Sequence, residues 1–114
     1  MREITGDKLR GHVEALILSS LEDGACHGLE VIKRIESAGS GALRLKEGSL
    51  YPALYRLEND GLIKGEWESD GAGRRGARRR LYHLTRKGKR KLVSAREEWI
   101  EFVQVMNQAL GGTS

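Results

Sequence analysis

The chain has 114 residues, a length that suits one domain with a modest hydrophobic core. Its apolar content of 39% and its net charge of +4 are ordinary for a soluble protein. No stretch approaches the roughly 20 consecutive apolar residues that a membrane-spanning helix needs, and the first residues lack the apolar segment of a secretory signal peptide. We therefore expect a cytoplasmic protein, and the single cysteine, Cys26, which cannot form an internal disulfide, agrees with a reducing compartment.

The positive charge is concentrated in one part of the chain. Residues 71–91 hold ten Lys and Arg and no Asp or Glu, whereas the rest of the chain holds ten basic and sixteen acidic residues. Charge that is polarised in this way attracts polyanions and speeds encounters with them. A solvated basic tail is the less favoured interpretation, because residues 81–84 (LYHL) interrupt the run with a pattern typical of a folded strand.

The first half of the chain predicts two helices and a short strand. Apolar residues at helical spacing indicate a first helix over residues 8–22, with Asp7 as its N-cap. A second helix is predicted over 28–38 and ends at the glycine-rich residues 39–41. The alternation in residues 43–45 is typical of a short strand.

A third helix is predicted over residues 48–59. Leu50, Leu54 and Leu57 form one apolar stripe along it, which can join a small core with the first two helices. Pro52 falls in the first turn, where its missing N–H costs no intrahelical hydrogen bond. The opposite face is polar and is left for solvent or for a partner.

The second half of the chain predicts a β-hairpin followed by one long helix. Strands over 62–68 and 79–84 flank a glycine-rich, basic loop at 69–78. Thr85 is expected to cap a helix that continues to about residue 110.

This order of elements is that of a winged helix-turn-helix, an α+β fold that is mostly α. We expect a DNA-binding domain over residues 7–84 and a long C-terminal dimerisation helix over 85–110. The major groove of B-DNA, about 12 Å wide, admits one α-helix, and a recognition helix contacts bases mainly from its first turns. The third helix is therefore the expected recognition helix. The residues expected to contact DNA from this helix and from the segment just before it are Lys46, Ser49, Tyr51, Pro52, Tyr55 and Arg56.

Other interpretations remain open for the tyrosines and for the loop. Tyr51 and Tyr55 lie four residues apart, and such a pair is also typical of a simple packing ridge. Arg74, Arg75 and Arg78 are expected to contact the DNA backbone or a narrow minor groove, because the glycines beside them allow a close approach. The alternative is a solvated loop whose arginines only maintain solubility.

The final helix carries apolar residues at a heptad-like spacing, which is typical of a dimerisation seam. The chain has too little domain of its own to cover such a seam, and a second copy related by two-fold symmetry would cover it. Docking of this helix against the first helix of the same chain is the alternative. The expected interface residues are Leu92, Trp99, Val103, Met106 and Leu110.

Four segments of the sequence match the motifs of one known family. Residues 47–58 read EGSLYPALYRLE, and the other motifs are LRGH at 9–12, HGLEVI at 27–32 and RRLYHLT at 79–85. Together they resemble the PadR family of winged helix-turn-helix transcriptional regulators, whose recognition helix carries the signature GSLYPALxRLE. The resemblance covers roughly residues 9–100.

The resemblance implies a homodimer that binds a (pseudo)palindromic operator and usually represses neighbouring genes. It implies backbone contacts for the arginines of the wing and recognition-helix contacts for Ser49, Tyr51, Pro52 and Arg56. Two positions depart from the family pattern: Leu29 stands where many relatives have Tyr, and His83 stands where the second wing strand has an aromatic residue.

The resemblance also implies an effector hypothesis. In compact members with one C-terminal helix, a tryptophan on that helix can line a pore at the dimer interface that accepts planar aromatic compounds. Trp99 is placed similarly, and its alternative role is that of a plain residue in the dimer core.

No enzyme constellation is visible in the sequence. His12, His27 and His83 lie far apart, so they form no metal-ligand set, and His27 is expected to cap or pack at the turn into the second helix. The glycines at 71–76 lack the lysine and hydroxyl pair of a P-loop, and Glu58 has no evident partner for acid–base chemistry. We expect no catalytic residue, metal or cofactor. The remaining alternatives to a regulator are a winged-helix module that holds an acidic protein and a single-stranded nucleic-acid binder.

Overall fold

The computed structural model describes residues 2–68 and 79–111. Within those ranges the chain forms helices α1 (Gly6–Leu9), α2 (Val13–Ser20), α3 (Gly28–Ala38), α4 (Glu47–Asn59) and α5 (Arg86–Leu110). The strands are β1 (Cys26–His27), β2 (Ile63–Trp67) and β3 (Arg80–Leu84), and a 3-10 turn at Leu21–Asp23 follows α2. The strands β2 and β3 lie between α4, the expected recognition helix, and the long final helix α5. This order of elements confirms the expected winged helix-turn-helix fold, which is mostly α.

The three strands form one antiparallel sheet with β3 in its centre. β2 and β3 are the two sides of the expected hairpin, and their register places Trp67 opposite Arg80. β1 pairs Cys26 with Tyr82 on the other side of β3. The sequence did not predict β1, because two residues are too few to show an alternating pattern.

Three expectations about the first half of the chain are corrected. The helix expected over 8–22 is divided into α1 and α2, because Gly11 adopts a left-handed backbone with φ +86° that a continuous helix does not allow. Asp7 lies inside α1 and caps neither helix. The strand expected at 43–45 is a single bridge to Ile4, because the N-terminal segment beside it turns into α1 two residues later.

The core is built from one face of each main helix and from the sheet. The stripe of Leu50, Leu54 and Leu57 in α4 is at most 1% exposed, as the sequence predicted. Burial of one such aliphatic side chain stabilises a fold by roughly 1.5–3 kcal/mol. Burial also raises the pKa of the Cys26 thiol, because desolvation disfavours the thiolate. Other members of the core are Ile17, Leu18, Val31, Ile35, Ile63 and Tyr82.

The first part of α5 packs along α2, and the rest extends beyond the domain. Leu92 is only 2% exposed, which places it in the core of its own chain and corrects the expectation that it lies in a seam between chains. One turn later, the Arg96 guanidinium donates to both carboxylate oxygens of Glu22, at 2.8 and 3.2 Å, and holds the pKa of that carboxyl below its usual value. Within the described residues, no helix combines the length and the apolarity needed to span a membrane.

The start of α5 is fixed to the turn between α4 and β2. The Thr85 side chain caps the helix by accepting the N–H of Gly88 at 3.0 Å, as the sequence predicted. Its hydroxyl donates towards the carbonyl oxygens of Gly61 and Leu62, which lie 2.8 and 2.9 Å away. Gly88 is buried against the Leu62 carbonyl and the Leu84 side chain. The long helix therefore leaves the domain in one fixed direction.

Replacing Gly88 with Ala should destabilise the protein. A Cβ atom here would lie 2.7 Å from Leu84 Cδ1 and closer still to the backbone oxygen of Leu62, which cannot move without disturbing the turn. We expect the free energy of unfolding to fall by about 1–3 kcal/mol in urea denaturation at a fixed protein concentration. Gly48→Ala is the control, because a Cβ atom there meets nothing within 4 Å. Equal stability of Gly88→Ala and the wild type would contradict this packing.

Candidate nucleic-acid interface

Helix α4 separates the residues that build the core from those expected to contact DNA. Its leucines face inward, and Ala53 is fully buried beside them. Tyr55 is the most open aromatic residue of the helix, with 74% of its surface exposed, and Tyr51 retains 43%. The residues expected to contact DNA from this part of the chain are all exposed: Lys46, Ser49, Tyr51, Pro52, Tyr55 and Arg56. The polar face of α4 is therefore open to a partner.

The start of α4 combines a helix N-terminus with a lysine. Lys46 occupies the N-cap position, and its carbonyl accepts the N–H groups of Ser49 and Leu50 at 3.0 Å. The positive end of the helix dipole and a lysine cation both favour an anion such as phosphate. Glu47 in the first turn carries the opposite charge, so the local field is mixed.

Tyr51 packs against the beginning of α3. A Cβ atom on Gly28 would lie 3.0 Å from both Cε1 and the hydroxyl oxygen of Tyr51, so the ring lies directly over this glycine. The ring is held by α3 on one side and exposed on the other. Packing and partner contact, which the sequence left as alternatives, are therefore compatible at Tyr51.

Arg56 lies on the other flank of α4, beside α2. Its Nε donates to Glu14 Oε2 at 3.0 Å, and both side chains are about half-exposed. Together with Ser49 and Pro52, Arg56 forms one wall of an open cleft of about 650 Å³, and the other walls come from α1 with the turn that follows it, from α2 and from α5. The sequence did not predict this ion pair, because its partners are 42 residues apart and show no local pattern.

An ion pair and a histidine–carboxylate contact tie the hairpin to the helices. Arg80 at the start of β3 pairs with Glu58 near the end of α4. The Glu58 hydrogen bond is the main cause that raises the pKa of Arg80, so this carboxylate, which had no evident partner in the sequence, has a structural one. His27 at the N-cap of α3 contacts Glu68 at the end of the hairpin strand.

His27 also closes the first turn of α3, as the sequence predicted for that position. Its Nδ1 lies 3.1 Å from Glu30 Oε1, and its backbone N–H donates to the same oxygen at 3.3 Å. These hydrogen bonds lower the pKa of Glu30. Among the described residues, no group of three His, Cys, Asp or Glu side chains is arranged to hold a metal ion.

The expected wing contacts cannot be placed in the same way. Arg74, Arg75 and Arg78 lie outside the described residues, as does the whole of the loop expected at 69–78. Their contacts with a DNA backbone remain a prediction from the sequence.

The outer part of α5 presents a broad apolar surface. Trp99 packs edge-on against His12, with ring centroids 5.2 Å apart, and stacks on Phe102 at 5.7 Å. The heptad-like spacing in the sequence indicates a single stripe, so it did not predict the apolar residues beside that stripe. Val103 is half-buried. The exposed members of this surface are Trp99, Ile100, Phe102, Val105, Met106 and Leu110.

Two sequence comparisons with known proteins both point to transcriptional regulators. The sequence model of the family described as "Transcriptional regulator PadR-like family" matches residues 17–94. A transcriptional regulator of Mycobacterium tuberculosis is 33% identical over 115 aligned positions, which cover 100% of this chain and 94% of that protein.

Solved structures show the same likeness in three dimensions. A transcriptional regulator from Clostridium thermocellum has a TM-score of 0.80 and 33% identity, over 92% of this chain and 96% of its own. A PadR family transcription regulator from Clostridium difficile R20291 has a TM-score of 0.74 and 38% identity, over 88% of this chain and 99% of its own.

Proposed function

Because this chain belongs to the PadR-like family of transcriptional regulators, we propose that it binds double-stranded DNA as a homodimer, reads a (pseudo)palindromic operator and represses the genes beside it. Membership of the family makes it a transcriptional regulator and not an enzyme. We place its action at the chromosome, in the cytoplasm, where it is associated with the nucleoid while bound to DNA.

The observation that carries this proposal is the division of α4 into a buried leucine stripe and an exposed polar face. A helix of this kind fits the major groove, and its first turns carry the side chains that can reach base edges. Tyr51 and Tyr55 offer hydroxyl groups, and Arg56 offers a guanidinium once it leaves Glu14. We assign residues 7–84 to DNA binding and the arginines at 74, 75 and 78 to the phosphate backbone.

A binding titration against an inverted repeat from upstream of the protein's own gene, at several salt concentrations, tests this assignment. The wild type should bind as one dimer per repeat. The double variant Arg74→Gln/Arg75→Gln should weaken binding to all DNA. It should reduce the salt slope by about 4, because the dimer loses four phosphate contacts and each contributes about 0.9. Tyr51→Ala should instead cost about 1–3 kcal/mol of discrimination between operator and random DNA.

Lys33→Gln is the matched control, because this exposed lysine lies on α3 and outside the proposed surface. Equal effects of the loop and helix variants on every DNA would contradict the division of roles. Binding without any requirement for two half-sites would favour a single-stranded nucleic-acid binder or a protein-interaction module.

We assign dimerisation to the outer part of α5, within residues 85–110. The helix has 25 residues, so it is about 37 Å long. Past Arg96, most of its large apolar side chains remain exposed, because the rest of the described chain does not cover them. A second copy would bury them by two-fold symmetry and would present two recognition helices to half-sites about 34–36 Å apart. The proposed interface residues are Trp99, Val103, Met106 and Leu110.

Met106→Glu should convert the dimer to a monomer. The substitution places a charge in the proposed apolar interface, where its desolvation is unfavourable. Gln104→Glu adds the same charge to an exposed polar position of the same helix and should leave the dimer intact. Sedimentation equilibrium measures the two masses, and a dimeric Met106→Glu protein would refute this interface.

We further propose that a planar aromatic compound binds beside Trp99 and relieves repression. His12 and Phe102 already flank the Trp99 ring, which supports an aromatic surrounding. Phenolic acids or aromatic drugs should then quench or shift tryptophan fluorescence. Trp99→Phe should lose this response and Trp67→Phe should keep it, whereas no change across the whole panel in the wild type would count against the site.

A further inference from the structure

Arg80 belongs by sequence to the basic run, but its side chain points back to the recognition helix. Its Nη2 pairs with Glu58 Oε2, and the two side chains are only 26% and 31% exposed. Arg79, the preceding residue, is exposed. The two arginines therefore differ in environment: Arg80 is partly buried and paired with a carboxylate, whereas Arg79 is exposed to solvent.

The guanidinium of Arg80 is also held from the side of β2. Its Cζ lies 5.1 Å from the centre of the Trp67 ring, within the range of a cation–π contact. Beneath it, a Cβ atom on Gly65 would lie 2.5 Å from Arg80 Nε and 3.0 Å from its Cζ. A side chain larger than glycine at position 65 would displace the guanidinium.

We propose that Arg80 is a positioning residue that fixes the β2–β3 hairpin at one angle to the recognition helix, and that it does not contact phosphate. This inference rests on the proposed DNA-binding function. A helix in one groove and a hairpin beside it must fit a single rigid duplex, so their relative angle contributes to affinity. A hairpin that is free to turn loses part of that affinity to the entropy of ordering it.

The chemistry of arginine suits this role. The planar guanidinium pairs with the carboxylate of Glu58 while its Cζ lies over the Trp67 ring, whereas an ammonium group is a compact charge that lacks the fixed fork of donors for holding both contacts at once. Lys at position 80 would keep the charge of the basic run but lose the attachment to α4. A phosphate contact, in contrast, depends mainly on the charge.

Titrations of operator DNA with matched variants test the proposal. Glu58→Gln removes a negative charge from the recognition helix, so simple electrostatics predicts tighter binding, whereas loss of the attachment predicts binding that is weaker by roughly five- to twentyfold. Glu47→Gln removes the same charge from the exposed first turn of α4 and should keep or strengthen binding. Arg80→Lys should weaken binding as Glu58→Gln does, and Arg79→Lys should stay near the wild-type affinity.

Gly65→Ala keeps every charge and still tests the contact. The three atoms nearest to the added methyl all belong to the flexible side chain of Arg80, so the protein should fold, and binding should weaken as it does for Arg80→Lys. In ¹H–¹⁵N spectra of the free protein, the indole signal of Trp67 should shift in Gly65→Ala, while that of Trp99 should stay in place. This readout remains valid if Glu58→Gln does not fold.

The outcomes separate this inference from the function on which it rests. A wild-type protein that does not bind an inverted repeat overturns the proposed function before any variant is compared. A wild type that binds, with Glu58→Gln at least as tight or with Arg80→Lys and Arg79→Lys alike, overturns the positioning role alone. An unmoved Trp67 signal in Gly65→Ala overturns it as well.

Discussion

The structure depends on the burial of one leucine stripe in α4. That stripe holds the helix against the core, and it is the reason that the opposite face stays open. Three contacts on the flanks then fix how the helix lies on its core: Tyr51 over Gly28, Arg56 with Glu14, and Glu58 with Arg80. Each contact comes from a different neighbour, namely α3, α2 and the hairpin. Hydrophobic burial supplies stability, and the polar flanks supply orientation.

Patterns with a local cause were readable from the sequence. The periodicity of α4, the glycine-rich break between two strands and the Thr85 cap all depend on neighbours a few residues away. The features that were missed depend on distant partners or on a single backbone angle. β1 exists only because β3 lies beside it, and the break between α1 and α2 follows from the left-handed conformation of Gly11.

The site was predictable to a similar extent. The exposed face of α4 follows from its leucine spacing. The ion pair that holds Arg56 beside α2 does not, because its partner, Glu14, lies 42 residues away in the chain. Counting heptads in α5 selects one stripe and therefore overlooks Ile100 beside it. Leu92 fits the heptad by spacing, and only the packing of α2 against α5 reveals that it is already covered.

Because its start is packed tightly at Gly88, α5 moves together with the domain as one rigid body. The helix is rigid over about 37 Å, and its base has no freedom to pivot because the Thr85 hydrogen bonds and the Leu62 carbonyl enclose it. In the proposed dimer, a rotation of about 5° of one α5 helix at the subunit contact would displace the DNA-binding domain at its other end by about 3 Å, close to the rise of one base pair. If the proposed dimer forms, small changes at the contact between its subunits would therefore alter the spacing of the two recognition helices, because no flexible linker lies between the contact and the domain.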